Sequence, residues 1–251
     1  MSEAALAARA IGLIDLTELG DTADETAIRR LCTTARGGGA VPPVAALCVW
    51  PRHVALARGL WPGRIATVVN FPSGDEPVAA VTAMIGAALA EGADEIDIVL
   101  PYRGFLAGDV AAPEAMLRAA RAATAAATLK VILETGAFPD LASIRAASDL
   151  AIVAGADFIK TSTGKGPGGA TPQAARVMLE AIRASGRQVG LKPSGGIRTL
   201  DDARTYLDLA DTIMGPDWAK PETFRFGASG LHASLAAVIN RETPRAAESA
   251  Y

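Results

Sequence analysis

The chain has 251 residues, a formal net charge of −3 and 50% hydrophobic side chains. That length suits one α/β barrel, commonly about 250 residues, and the acidic balance with dispersed basic residues argues against nucleic-acid binding. Two cysteines and two histidines give neither a disulfide framework nor metal-ligand spacing, the N-terminus lacks a secretory pattern, and Glu91, Asp94, Glu95 and Asp97 interrupt the one long Ala-rich stretch, so a soluble cytoplasmic protein without metal, membrane or nucleic-acid partner is expected.

In chain order, short β-branched runs alternate with longer Ala-rich amphipathic stretches. Strands are predicted at 13–17, 44–50, 64–70, 94–100, 129–134, 157–161, 189–193 and 225–229. Helices are predicted at 24–36, 51–60, 77–91, 113–126, 140–154, 171–185, 200–209 and 231–240. Thr171-Pro172 has the form of an N-cap followed by proline at the first helical position, and Thr199 precedes the acidic first turn Asp201-Asp202. Eight strand–helix units imply a parallel sheet, and eight in this length favour a closed (β/α)8 barrel over an open doubly wound sheet. The eighth strand is ambiguous, because 211–214 also reads as one. No composition shift marks a boundary, so 1–240 reads as a single catalytic barrel. Residues 241–251, polar and aperiodic, read as a flexible tail.

The lysines are few and clustered. Of 24 Lys+Arg, five are lysine (Lys130, Lys160, Lys165, Lys192, Lys220), and three of the five fall in FIKTSTGK and LKPSGGIR. Arginine cannot replace lysine where a neutral amine must attack a carbonyl, because guanidinium stays charged. Barrel active sites form at the C-terminal ends of strands. The polar residues near those ends are Asp15, Cys48, Asn70, Asp97, Glu134, Lys160 and Lys192.

Lys160 follows an apolar run, so burial would lower its pKa, and a second ammonium at Lys192 would lower it further. Lys160 is then the nucleophile and Lys192 its perturber, with the reverse assignment open. Asp97 alternates with Ile96 and Ile98 and so faces the barrel interior. There it is expected to pair with Lys192, either as a proton relay through a water or as a structural ion pair. Three Gly-rich turns, 164–169, 195–198 and 227–230, follow late strands, where backbone amides bind phosphate. Cys48 reads as a small core residue more readily than as a pocket thiol. Beside a Schiff-base lyase, a non-catalytic sugar-phosphate-binding barrel and a metal-free isomerase remain as readings.

The segments FIKTSTGK, GLKPSGGIR, GADEIDIVLPYR, VNFPSG, KVILETG and RFGAS together resemble the deoxyribose-phosphate aldolase family, in order and spacing, from about residue 13 to 235. IDLTEL and the terminal Tyr251 are similar to its enterobacterial-type branch. The resemblance implies a metal-free class I aldolase on a (β/α)8 barrel, acting in deoxyribose catabolism. It would reversibly cleave 2-deoxy-D-ribose 5-phosphate to D-glyceraldehyde 3-phosphate and acetaldehyde. It further implies Lys160 as the Schiff-base lysine, Lys192 and Asp97 as its catalytic partners, and Tyr251 as a proton shuttle. The implied phosphate site is Gly164, Gly195, Gly196, Arg198, Gly227 and Ser229 with Lys165 nearby, Asp15 and Thr163 are further pocket positions, and the assembly is a homodimer. Gly230 and Ser194 depart from the family pattern, which often has Ser and commonly Ala there.

Overall fold

The structure, a computed structural model, describes residues 1–242. Eight strands, β1 Ile14–Glu18, β2 Ala46–Val49, β3 Arg64–Val69, β4 Glu95–Val99, β5 Thr128–Ile132, β6 Phe158–Lys160, β7 Gly190–Lys192 and β8 Phe226–Ala228, pair in the order β7-β6-β5-β4-β3-β2-β1-β8. Every ladder is parallel. The remaining seam is closed by parallel bridges Leu191–Phe224 and Ser194–Gly227. There the Arg225 N–H donates to the Leu191 carbonyl at 3.0 Å and the Gly227 N–H to the Pro193 carbonyl at 2.9 Å. The architecture is the (β/α)8 barrel that the alternation predicts.

The helices are α1 Glu3–Ile11, α2 Glu25–Ala35, α3 Val54–Leu60, α4 Val78–Ala90, α5 Tyr102–Leu106, α6 Ala111–Thr124, α7 Leu141–Val153, α8 Pro172–Ser185, α9 Leu200–Met214 and α10 Leu231–Glu242. Local chemistry starts several of them. Thr171 and Thr199 accept from backbone amides as N-caps, and Thr199 with Asp202 completes a capping box. Residues 211–214, the alternative eighth strand, are the last turn of α9, so the eighth strand is the 225–229 candidate. Two helices are additional to the predicted set, α1 and the five-residue α5. Helix α1 is capped by Ser2 and packs on α10 and α9, where Arg9 forks onto Asp211 at 2.8 and 2.9 Å. The last helix runs to Glu242, two residues beyond its expected end at 240 and into the expected tail.

The period-two alternation of the strands divides the molecule into two cores. Outward-facing Leu16, Leu47, Ile65, Ile96, Ile98, Leu129, Val131, Ile159 and Leu191 are buried in one apolar layer with the helices. Of the inward positions, only Cys48, Ala66 and Val68 form a separate apolar cluster. Most of the interior is filled by charged side chains, described below. At its base Phe158 lies under Arg225, whose guanidinium is 5.6 Å from the ring centroid. Gly190 leaves room for that ring, since a Cβ there would lie 2.3 Å from it. Gly190→Ala is therefore expected to destabilise the fold by about 1–3 kcal/mol through overpacking, read as a lower denaturant midpoint. An unchanged midpoint would mean that the ring moves aside freely.

Candidate active site

Strand register sets the site. On β4, Glu95 and Asp97 share a face while Ile96 and Ile98 take the other. Asp97 is opposite Lys130 on β5, and Lys160 on β6 is opposite Lys192 on β7. The two lysines of interest are thus cross-strand neighbours. Asp15 on β1 and Arg225, just before β8, complete the set; all seven side chains are buried.

Six of them form a closed ring of alternating charge. Arg225 donates to Asp15 and, at 2.9 Å, to Glu95. Lys130 donates to Glu95 at 2.5 Å and to Asp97 Oδ1 at 2.9 Å. Lys192 donates to Asp97 Oδ2 at 2.8 Å and lies 2.5 Å from Asp15 Oδ2, which closes the ring. Lys160 is the seventh member and hangs outside it, donating at 2.8 Å to the Asp97 Oδ2 that Lys192 already uses. Each ring member has at least two opposite charges beside it. Lys160 has one carboxylate, shared with two other lysines.

The titration behaviour follows from that asymmetry. Burial alone would raise Asp97, yet Lys130, Lys160 and Lys192 outweigh it and hold the carboxyl well below its ordinary range. Asp15 is likewise lowered, since Arg225, Lys192 and Lys130 overcome its burial. Glu95 is lowered against its burial by Lys130 and Arg225. Burial would lower all the buried amines, but Asp15 and Asp97 raise Lys192, and Asp97, Glu95 and Asp15 raise Lys130. At Lys160 burial wins, aided by Lys192 and opposed by Asp97, and the amine falls below the usual lysine value.

Above this floor opens a cavity of about 670 Å³. Lys160, Thr163, Gly164, Lys165, Gly195, Gly196, Arg198, Gly227 and Ser229 all line it, so nine of the predicted positions meet at one mouth. Asp15, Asp97, Lys192 and Cys48 do not line it; they lie fully buried in the barrel interior. Burial pushes the Cys48 thiol up despite nearby Lys192, so it is a neutral thiol rather than a thiolate at neutral pH. Tyr251 lies outside the described residues.

The rim is built by close backbone approach. The Ala170 N–H donates to the Ser194 and Gly195 carbonyls at 2.9 and 3.0 Å, which joins the turns after β6 and β7. Gly195 has φ +84°, and a Cβ on it would meet Gly169 Cα at 2.9 Å. At Gly227 a Cβ would meet that of Ser194 at 2.6 Å. Ser194 donates its hydroxyl to the Ser162 carbonyl at 2.5 Å, so its departure from Ala binds the two turns together and leaves Lys192 untouched. Glu134, in a left-handed conformation with φ +61°, accepts from the Thr163 N–H at 3.2 Å beneath the β6 turn. Lys165 spans to Asp21 at 2.5 Å and lies 5.4 Å from the Trp50 ring centroid. Helix α10 begins behind Gly230, which has no side chain to cap it, and has no acid in its first turn. Its first amides and positive dipole end therefore suit an anion at Ser229. The α9 end is different: Asp202 already accepts from the Arg198 and Thr199 amides at 2.9 Å.

Lys130, Glu95 and Arg225 lie outside the set of site residues that the sequence predicts. The signal was available by parity: Glu95 is two residues before Asp97, Arg225 two before Gly227, and Lys130 alternates with Leu129 and Val131. The lining residues Thr17, Glu18 and Ser194 were likewise not singled out for the pocket.

This is a parallel barrel whose mouth carries a buried amine suited to carbonyl chemistry beneath amide-rich turns. A family model described as DeoC/LacD family aldolase matches residues 9–233, and the chain belongs to that family. A curated relative, the deoxyribose-phosphate aldolase of Agrobacterium fabrum, is 52% identical over 250 residues, 98% of this chain and 96% of the relative. The tetrameric deoxyribose phosphate aldolase of Aeropyrum pernix matches with a TM-score of 0.72 at 25% identity, covering 94% of this chain and 91% of that one. A solved structure from Coccidioides immitis gives a TM-score of 0.82 at 28% identity, covering 92% and 86%. Among the described residues, no helix is long and apolar enough to cross a membrane.

The lowered carboxylates tie stability to pH. Each folded pKa lies below its unfolded value of about 4, so the stabilisation is complete above that value and is lost as the pH falls through the folded values. Lys130 and Lys192 are raised, so their contribution is present below about pH 10. Thermal stability is expected to hold from about pH 6 to 9 and to fall steeply below about pH 4; a midpoint unchanged down to pH 2–3 would contradict the ring.

Proposed function

We propose that this chain is a class I aldolase that reversibly cleaves 2-deoxy-D-ribose 5-phosphate to D-glyceraldehyde 3-phosphate and acetaldehyde. The observation that carries the reading is Lys160 itself. It is the one member of the buried charge cluster that lines the cavity, and burial and Lys192 lower it below the ordinary lysine value. Family membership and the name of the Agrobacterium fabrum relative support the substrate.

In this reading Lys160 Nζ attacks C1 of the open-chain sugar phosphate to give a carbinolamine. Loss of water leaves an iminium, which serves as the electron sink, so the chemistry needs no metal. The C3 hydroxyl gives up its proton and the C2–C3 bond breaks. Its electron pair forms an enamine, and glyceraldehyde 3-phosphate departs. Protonation of the enamine at C2 and hydrolysis of the resulting iminium release acetaldehyde and restore the amine. Asp97 and Lys192, hydrogen-bonded to each other at 2.8 Å beside Lys160, move the protons through a water. Lys192 adds to the effect of burial in lowering the proton affinity of Lys160, by like-charge repulsion.

The substrate phosphate is held by Gly164, Gly195, Gly196, Arg198, Gly227 and Ser229, with Lys165 nearby and with Thr163 shaping the turn. Asp15 acts from below, through Lys192. Tyr251 is assigned the protonation of the enamine carbon, as the family resemblance implies, and Cys48 is a pocket thiol only where an aldehyde reaches below the floor. We further infer membership of the enterobacterial-type branch from IDLTEL and Tyr251, a cytoplasmic setting, and a homodimer, for which the exposed Val110, Leu141 and Val153 leave apolar surface. Light scattering on the purified protein separates a dimer from a tetramer like that of Aeropyrum pernix.

Incubation with acetaldehyde and borohydride, followed by peptide mapping, is expected to give a reduced two-carbon adduct on Lys160. Lys160→Arg should abolish both adduct and turnover while the fold persists. Lys192→Leu should lower turnover by roughly 100-fold or more at neutral pH, in line with loss of a proton-transfer partner. An adduct on Lys192 would exchange the two roles, and folded protein without adduct would remove the aldolase assignment.

A further inference from the structure

Lys130 is buried and cannot reach substrate: it does not line the cavity, and its ammonium contacts Glu95 at 2.5 Å, Asp97 at 2.9 Å and Asp15 at 3.6 Å. An ion removed this far from water needs a reason beyond stability, because buried ion pairs are often no better than apolar packing. The closed ring supplies one. Asp15, Glu95 and Asp97 are balanced by Arg225, Lys130 and Lys192, so the ring is neutral without any contribution from Lys160. A protonated Lys160 would be a fourth buried cation facing three carboxylates. Taking Lys130 away reverses this. The three carboxylates would then face Arg225 and Lys192 alone, and a protonated Lys160 would restore neutrality on an Asp97 oxygen that it already touches.

We propose that Lys130 is a positioning residue of the aldolase reaction: by engaging Asp97 Oδ1 and completing a neutral ring with Glu95 and Arg225, it leaves Lys160 as the uncompensated amine that must be uncharged to attack. The inference rests on Lys160 being the Schiff-base lysine. Lys160 is faced by Asp15 from β1, Cys48 from β2, Asp97 from β4 with Glu95 below it, Lys130 from β5, Lys192 from β7 and Arg225 before β8. From β3 the inward side chains Ala66 and Val68 are apolar, and Glu134 at the end of β5 turns instead to the Thr163 amide. Cys48 is held neutral by burial. Arg64, at the start of β3, approaches Glu95 at 3.6 Å but is half-exposed and shared with Glu222 at 3.5 Å, so solvent screens it.

The test uses two substitutions whose effects on the ring are opposite in sign. Lys130→Met removes a positive charge, and Glu95→Gln removes a negative one from the same contact. The readout is the rate of reductive trapping by acetaldehyde and borohydride as a function of pH. Acetaldehyde carries no phosphate, so the rim plays no part. The acid limb of the profile, where Lys160 gains its proton, is expected to move up in Lys130→Met and down in Glu95→Gln. Each displacement should be of order one pH unit, within the ~1–3 units that one nearby opposite charge produces, which is about a tenfold change in trapping rate at a fixed pH on the limb. Lys130→Met combined with Glu95→Gln removes one charge of each sign and should return the limb to its wild-type position.

A role confined to holding the fold would lower the rate at all pH values without moving the limb, and that result overturns the proposal. Limbs that move in the same direction in the two single variants overturn it as well. Should Lys130→Met not fold, the downward shift in Glu95→Gln and the restored limb in the double variant still decide the matter. The aldolase reading is tested separately by the wild-type adduct: no adduct on wild-type Lys160 sinks that reading, whereas an adduct with immobile limbs sinks only the role of Lys130.

Discussion

The constraint on which the rest of this structure depends is charge neutrality inside the barrel. Three carboxylates and three cations alternate around a closed ring, from Asp15 through Arg225, Glu95, Lys130, Asp97 and Lys192 back to Asp15. Any one of them alone would be costly so far from water. Together each finds opposite charge on both sides, and their titrations move apart accordingly, the ring carboxylates downward and the ring lysines upward. Lys160 stands outside the ring, on an oxygen already occupied, and it is the lysine whose affinity for a proton falls. A single electrostatic arrangement thus separates one amine of lowered proton affinity from neighbours of the same residue type whose affinity is raised.

The interior works because the outer core is complete without it. Isoleucine, leucine and valine on the outward faces of the strands pack with the helices, and this layer can hold the barrel together by burying apolar area. The inward faces are thereby free to carry groups that a folding core would reject. Gly190 and Phe158 accommodate the large Arg225 at the base, and Cys48, Ala66 and Val68 fill the side opposite the lysines. The rim adds a third layer with its own logic. Glycines at 169 and 195 let backbone approach backbone, Gly227 leaves room for the Ser194 side chain, and the turns after β6, β7 and β8 meet around one cavity.

Much of this was legible residue by residue. Alternation of strand and helix implied the barrel, and strand-end position brought Lys160 to its mouth, whereas Lys192 and Asp97 lie below, in the barrel interior. What escaped was the rest of the ring. Lys130 and Glu95 sit within strands that read as ordinary barrel staves, and Arg225 precedes a Gly-rich turn that drew attention to itself. Parity alone would have turned all three inward, but parity does not say that Arg225, just before β8, meets Glu95 on β4, across the barrel. The strand alternative at 211–214 failed for a related reason. Its apolar residues continue the helical face of α9, and a short β-branched run cannot distinguish that from a stave. Helix α1, short and Ala-rich, packs on α10 and is tied to α9 through Arg9 and Asp211, residues more than two hundred positions apart in the chain.

The sequence by itself determined the periodicities, the number of strand–helix units and the identity of the scarce lysines, because these depend on neighbours along the chain. It also determined which turns were rich in glycine, and those turns line the cavity. Only the tertiary structure decided which carboxylate meets which cation. Closure of the barrel brings β1, β4, β5, β6, β7 and β8 to a common interior, and the balance of charge there depends on distances between residues that the chain holds far apart. The buried ring, and with it the distinction between Lys160 and Lys192, exists only once those distances are set.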